Sequence, residues 1–406
     1  SAVVRSMASI VSSFGILLLS VSAQGLVIHV DASGGGDYLT IQEGINEATY
    51  GDTVLVFPGS YEEHLAFDAD DDGVVVMSRD GRDATILQGA PYPAPSLVSV
   101  ESVGSATKLI GFTLHGNGAS AEGGAIYCVG AAMTVEDCAI VDCSARYAGG
   151  GLFLDDPSGF VIRRSEIRDC WSRDGGGILV EGGQVTVEDT DLLDNWVSGL
   201  GGVGGGGVSF GYGQATFTRC LFQRNSSPGD TDGLWVYQSA DVDVVDCSFV
   251  GQTGPAVNVS TLSTLTVSGC VFTGNGNPEW TECVVTTSLS SPGDAVFTDN
   301  VFCGNEDIVL LVRWGAPPAF TGNSIDPNGH LAIVIDDDAQ AGTLDALGNW
   351  WGTTNPLEIA ALIQDCNDDP SILLCVDFSD WCTDSSCSGQ VTEIPGATQQ
   401  IGSWGV

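Results

Sequence analysis

Basic side chains are scarce in this chain: its 406 residues carry 12 Lys and Arg against 52 Asp and Glu, a formal net charge of −40. Such a field repels phosphate backbones and anionic headgroups, which argues against nucleic acid and membrane surfaces as partners and is compatible with cations or neutral glycans. Long apolar runs are missing too, and no segment after residue 21 is apolar enough to span a bilayer. Cys-x-x-Cys pairs are absent although there are 13 cysteines, so thiolate metal sites are not expected. Neither a Gly-x-Ser-x-Gly elbow nor a phosphate loop occurs. Pro is not enriched and no collagen period exists, so the 55 glycines point to repeated tight turns rather than disorder. A hydrophobic content of 43% is ample for a core.

The first apolar run, Ile10 to Val21, is about 12 residues long, follows Arg5 and ends in Val21-Ser22-Ala23. That order reads as a secretory signal, the alternative being a buried N-terminal strand or helix. Export would place the chain outside a cell or on its surface, in a bacterial setting. Met7 lies inside the chain and Ile401 to Val406 stops abruptly, which reads as a fragment of a longer protein.

From residue 109 onward one nine-residue pattern returns. It runs apolar, two others, then Cys, Asn, Ser or Thr, one other, apolar, two others, and usually Asn or Cys. Its copies are Val135 to Cys143, Ile162 to Cys170, Val187 to Asn195, Phe217 to Asn225, Val244 to Gln252, Val267 to Asn275, Phe297 to Asn305 and Phe320 to Asn328. A weaker copy starts at Leu109 and an altered one at Asn349. The fourth position moves from 112 to 349 in nine steps, about 26 residues each. Inside the period the apolar residues form short β-branched runs broken by Gly and Asn, with no helical spacing. A Gly-led strand recurs in phase at Gly123, Gly149, Gly175, Gly205 and Gly233. Two or three strands per turn predict an all-β fold, a single-stranded right-handed parallel β-helix of about 10–12 coils. With strands about 4.8 Å apart the rod is roughly 50–60 Å long. Gly suits the bends because its backbone reaches conformations closed to other residues, and Asn is the next most tolerant type.

Identical residues one coil apart lie over each other. Asn195, Asn225, Asn275, Asn305 and Asn328 are therefore expected to form a ladder of stacked amides that satisfies bent backbone groups. Cys220, Cys247 and Cys270, and separately Cys143 and Cys170, fall at the same corners, as a buried thiol ladder or as partial disulfides. Near the C-terminus Cys366, Cys375, Cys382 and Cys387 suit two disulfides whose pairing is open. Asn-x-Ser sequons occur at Asn225 and Asn258 and matter only in a glycosylating host.

Thr40 is placed to cap a helix whose apolar residues Ile41, Ile45 and Ala48 share one side, closing the open end of the first coil. Together with Asp31 to Ile45 and Gly51 to Glu63, this opening resembles that of right-handed parallel β-helix proteins of the pectate lyase and pectin esterase superfamily. The likeness covers roughly residues 27–380. Phe222 to Asn225, Phe272 to Asn275, Phe297 to Asn300, Phe302 to Asn305 and Phe320 to Asn323, with Gly123-Gly-Ala-Ile126, are similar to the repeats of bacterial polymorphic outer-membrane proteins. That resemblance implies surface display and adhesion. Gly348-Asn-Trp350-Trp351-Gly352 and Val376 to Trp381 are similar to the ends of secreted bacterial β-helix proteins, with Trp350, Trp351 and Trp381 as capping rings or sugar platforms. The organisation that follows is a signal over 1–23, an N-terminal cap and first coil over 24–66, repeats over 67–350, a C-terminal cap over 351–388 and a linker over 389–406.

Uronate lyases on this fold need a base for the C5 proton and positive charge for the neighbouring carboxylate. The candidates are Arg146, Arg173 and Arg168 for chemistry, and Arg163, Arg164, Trp235 and Tyr237 for substrate binding. Arg146 and Arg173 are each eight residues past the marker and should stack; the alternative is ion pairing with Glu166, Asp142, Asp169 or Asp174. The pectin esterase resemblance implies Gln-Asp-Thr and Gly-x-x-Asp-Phe-Ile-Phe-Gly motifs, and neither is present; Asn-Thr-Asp and Gly-His-Gly of polygalacturonases are absent as well. Asp68, Asp70 and Asp72, ahead of Gly73, match half of a calcium loop, with Arg79 where its last ligand belongs. Ca2+ is the one cofactor the sequence suggests. The expectation is a non-catalytic module binding extracellular polysaccharide or cell-surface glycan; a calcium-assisted lyase and a structural spacer are the alternatives.

Overall fold

The computed structural model describes residues 25–89, 94–116, 118–119, 121–198, 204–228, 231–260, 262–276, 283–326 and 329–384. The signal segment, Asn328, Cys387 and the linker lie outside the described residues.

Strands of three to five residues bury every second side chain, as in Gln184–Glu188, where Val185 and Val187 point inward. Each strand pairs in parallel with its counterpart one coil along, so a strand too short to stand alone gains partners on both edges. Among the described residues this produces three long sheets, of fourteen, eleven and twelve strands, and a short one of four. A typical coil passes through Thr134–Glu136 in sheet 1, Ala139–Val141 in sheet 2, Ser144–Ala145 in sheet 4 and Leu152–Asp155 in sheet 3. The result is a right-handed parallel β-solenoid of about 12 turns. Its parallel sheets run on to Ile363–Gln364 and Leu374–Asp377, past the last copy of the sequence pattern.

Inward columns are stacked like with like. Phe222, Phe249, Phe272 and Phe302 form a pile of near-parallel rings with centroids 4.6, 4.8 and 4.6 Å apart. Helix α1 (Ile41–Glu47) closes the N-terminal end with a Thr40 capping box and with Ile41 and Ile45 fully buried. At the far end Trp351 is buried and Trp381 packs against the core. Cys366 and Cys375 are disulfide-bonded, with Cα atoms 4.9 Å apart.

Corners are where the structure departs from expectation. No described ladder Asn has a left-handed backbone. The left-handed residue is the one before the inward corner residue, whether that is Asn, Cys, Ser or Thr: Asp137, Asp142, Arg164, Asp169, Asp189, Asp194, Arg219, Arg224 and Asp246 all have φ between 47° and 56°. The turn is thus made one residue early, which leaves the next side chain facing inward. Stacked outward charges then pair across coils, as Arg219 with Asp189 and Arg224 with Asp194, both at 2.6 Å. Asn side chains stand in two separate ladders. In the first, Asn195 Nδ2 donates to Asn225 Oδ1 at 3.0 Å and Asn275 Nδ2 to Asn305 Oδ1 at 3.1 Å. The second continues the thiol column Cys220, Cys247, Cys270 into Asn300, Asn323 and Asn349. Asn225 is fully buried, so its sequon is no acceptor in the folded chain.

The column cysteines are thiols whose Sγ atoms donate to backbone carbonyls, such as Cys247 to Phe217 O at 3.5 Å. Burial pushes Cys138 up to about 11 and holds Cys170, Cys220 and Cys247 well above the ordinary thiol value. An aromatic disulfide reagent at pH 8 is expected to leave Cys220, Cys247 and Cys270 unmodified until denaturant is added. Rapid labelling of these three in the native protein would contradict the buried column.

Candidate functional site: a groove between two sheets

The Gly-rich stretches between sheets 4 and 3 make a tight corner. A Cβ on Gly150 would lie 2.2 Å from Gly176 O, and one on Gly176 2.4 Å from Gly206 O. Only Gly lets these bends stack coil on coil at that distance. The turn residues fold back onto the outer face of sheet 3: Ala148 packs with Phe153 and Leu179, and Asp174 Oδ1 accepts from Ser209 Oγ at 2.9 Å.

One wall of the groove is sheet 4. Alternation there buries Ala145, Ser172 and Val197 and turns Arg146, Trp171, Arg173 and Trp196 outward. Trp171 and Trp196 are paired residues of adjacent coils, stacked at 5.3 Å and 22°, and remain 37% and 41% exposed. Arg146 lies over the ring of exposed Tyr147 at 5.1 Å. Neither Arg146 nor Arg173 has an ion-pair partner among the described residues.

The floor is the outer face of sheet 3. Tyr127 stacks on Phe153 at 5.7 Å, and Trp235 on Tyr237 at 4.3 Å. Carboxylates line the corner in two columns. Glu122, Ala148 and Asp174 follow one another across coils, as do Asp155, Glu181, Gly211 and Tyr237. Burial, helped by the charge of Glu181, pushes Asp174 up to about 6. Glu181 is also raised, by burial and then by Asp155 and Glu122. The lower end opens into a cavity of about 340 Å³ bounded by His64, Ser99, Glu122 and Tyr127, and His64 also borders cavities of about 670 and 500 Å³.

The Arg residues named from sequence do not converge. Arg163 pairs with Glu136 at 2.6 Å, Arg164 with Asp137 at 3.0 Å and also with Glu136, and Arg168 with Glu166 at 2.5 Å and Asp169 at 2.6 Å, all away from the groove. Arg146 and Arg173 sit on its ridge, and Trp235 and Tyr237 on its floor. Sequence reasoning passed over Trp171 and Trp196, yet both directly follow a ladder residue, Cys170 and Asn195. Asp174 and Glu181 were also missed, because nothing local distinguishes them among 52 acidic residues.

Asp68, Asp70 and Asp72 form no converging set. Asp68 accepts from Asp70 N at 2.9 Å in a capped turn, and Asp72 accepts from Gly104 N at 2.7 Å. Among the described residues no group of three or more His, Cys, Asp or Glu is arranged to hold a metal ion.

The profile of a family described as right handed beta helix region matches residues 96–272. No curated protein matches the sequence. Solved structures similar in chain path include these three. The tailspike protein gp49 of Acinetobacter baumannii bacteriophage Fri1, a capsular polysaccharide depolymerase, is 10% identical, with a TM-score of 0.41 over 81% of this chain; the match spans 63% of the tailspike, less than two thirds of it. The A-modules of the Azotobacter vinelandii mannuronan C-5 epimerases AlgE4 and AlgE6 are 13% and 14% identical, with TM-scores of 0.38 and 0.36, each over 85% of this chain and 94% of the module. At such identities the likeness concerns the fold alone.

Proposed function

We propose that this chain is a secreted or cell-surface protein that binds extracellular polysaccharide in the groove between sheets 4 and 3. The observation that carries the reading is the solvent-exposed stack of Trp171 on Trp196. Apolar rings of this size are normally covered, and the exposed edges and outer faces of this stacked pair offer apolar contact to a sugar chain lying against them. Membership of the pectate lyase and pectin esterase-like superfamily belongs to the same proposal.

The test is affinity electrophoresis in gels containing neutral or acidic polysaccharides, with and without calcium. Trp171→Ala and Trp196→Ala are each expected to weaken retention about tenfold, ~1.4 kcal/mol. Retention unchanged in the double variant would sink the reading, and no retention by the wild type would favour the spacer. Arg146 and Arg173, which have no ion-pair partner among the described residues, support a second reading, a calcium-assisted uronate lyase. It requires unsaturated, ultraviolet-absorbing product that disappears in Arg173→Ala.

A further inference from the structure

Ser99 and His64 meet at the lower end of the groove floor. Ser99 lies on the strand Val98–Glu101 between the buried Val98 and Val100, so its side chain is on the outer face of sheet 3. In the register Ser99 pairs with Tyr127 and Tyr127 with Phe153, which places Ser99 in the column that forms the floor. Its partner one coil back is Ala66, whose methyl is too short to cover a neighbour. His64 directly precedes the strand Leu65–Phe67, and Leu65 N donates to Leu97 O at 2.8 Å, which pins His64 beside the segment that carries Ser96 and Ser99.

The hydrogen bonds of the imidazole settle its tautomer. His64 Nδ1 is 2.5 Å from Ser96 O, and His64 Nε2 is 3.2 Å from Ser99 Oγ. A carbonyl oxygen only accepts, so Nδ1 carries the ring proton; Nε2 of the neutral ring is then an acceptor, and the Ser99 hydroxyl is the donor. Ser96 is held in turn, its Oγ donating to Glu122 O at 3.1 Å. A hydroxyl, a base placed to take its proton and a third group that orients the base make up the arrangement of an activated nucleophile, which is recognised by geometry and needs no sequence elbow. Both side chains border the cavity of about 340 Å³, whose walls also include Pro95, Glu122 and Tyr127, so a substrate can reach them.

We propose that Ser99 and His64 form a catalytic dyad that hydrolyses esters, removing O-acetyl groups from a neutral polysaccharide; the choice of a polysaccharide rests on the glycan-binding reading of the same groove. Ser99 Oγ attacks the acetyl carbon as its proton passes to His64 Nε2. The bond from that carbon to the sugar oxygen breaks, and the oxygen takes the proton from Nε2 and leaves as a free hydroxyl. Water then attacks the acetyl-serine and gives one proton to Nε2, and Ser99 Oγ departs and recovers it, which releases acetic acid. Esters are the class because Ser96 O fixes the tautomer without placing a negative charge on the imidazolium that forms, and an alkoxide is an easier leaving group than an amide nitrogen. The neutral class follows from the carboxylates around the dyad, Glu122 on this cavity and Glu62 and Glu63 on the adjoining one, with no Lys or Arg among the described lining residues. They repel an acidic sugar and help expel acetate.

The experiment incubates the full chain with p-nitrophenyl acetate, acetylated xylan and acetylated glucomannan, and measures p-nitrophenol, free acetate and retention in the gel. Wild type should release both products, and Ser99→Ala and His64→Gln should each lower the rates at least 100-fold with retention and the urea midpoint unchanged. A fluorophosphonate should label Ser99 in the wild type, located by peptide mass, and label it at least 100-fold more slowly in His64→Gln, where the hydroxyl persists but its base is gone. Retention by the wild type without release of acetate or p-nitrophenol would overturn the esterase and leave binding intact. Wild-type rates in Ser99→Ala would overturn Ser99 as the nucleophile. Cleavage of the small ester with neither retention nor acetate from the two polysaccharides would overturn the polysaccharide as substrate, together with the groove reading.

Discussion

Asn300→Ala is expected to lower folding stability by about 3–5 kcal/mol, measured by urea denaturation, because one amide serves several buried backbone groups. Its Oδ1 accepts from Cys270 N at 2.9 Å, and its Nδ2 donates to Val267 O and to Asn323 Oδ1, each at 3.0 Å. Alanine orphans the Cys270 N–H and the Val267 C=O in the interior of the stack. A repeat array transmits such damage to the adjacent coils, so hydrogen exchange at Cys270 should quicken along with the global loss. Asn355→Ala is the contrast: that amide caps exposed helix α2 (Pro356–Ala360), and its loss should cost about 1 kcal/mol. Equal effects at both positions would contradict the ladder as a source of stability.

Asp174→Asn is expected to make the protein more stable above pH 6 and to leave it unchanged near pH 4. The folded-state value of about 6 lies above the ordinary 3.8, so the folded protein holds this proton where the unfolded chain has released it. The contribution of Asp174 to stability is therefore greatest below about pH 4, declines as the pH rises from about 4 to 6, and stays lower beyond. The difference of roughly two units corresponds to about 2 kcal/mol once partial exposure is allowed for. An Asn keeps an oxygen for Ser209 and removes the buried charge. A residue that weakens the fold at neutral pH and is replaced with a gain marks a position kept for something other than folding. Parallel pH–stability curves for wild type and variant would refute this.

Both effects bear on what could be read in the chain. The coil period was visible because every turn must return a small, inward residue to the same corner, and Cys138, Cys220, Asn300 and Asn349 announce that position. Helix α1 was visible for a similar reason: Thr40 and Glu43 are three residues apart, and the cap they form is local. The left-handed turns were not, since Asp and Arg adopt that backbone only under the demands of the stack. Trp171 and Trp196 had a legible signal in their shared position after a ladder residue. Arg163, Arg164 and Arg168 drew attention by their rarity, and acidic neighbours one coil away or next in the chain hold them away from the groove.

The sequence by itself determined the period, the inward columns and the closing helix, because each depends on residues within one coil or on identity between successive coils. Only the tertiary structure decided the groove and the exposed Trp stack. Trp171 and Trp196 come from adjacent coils, and their stacking is set by the register of neighbouring strands rather than by any spacing along the chain.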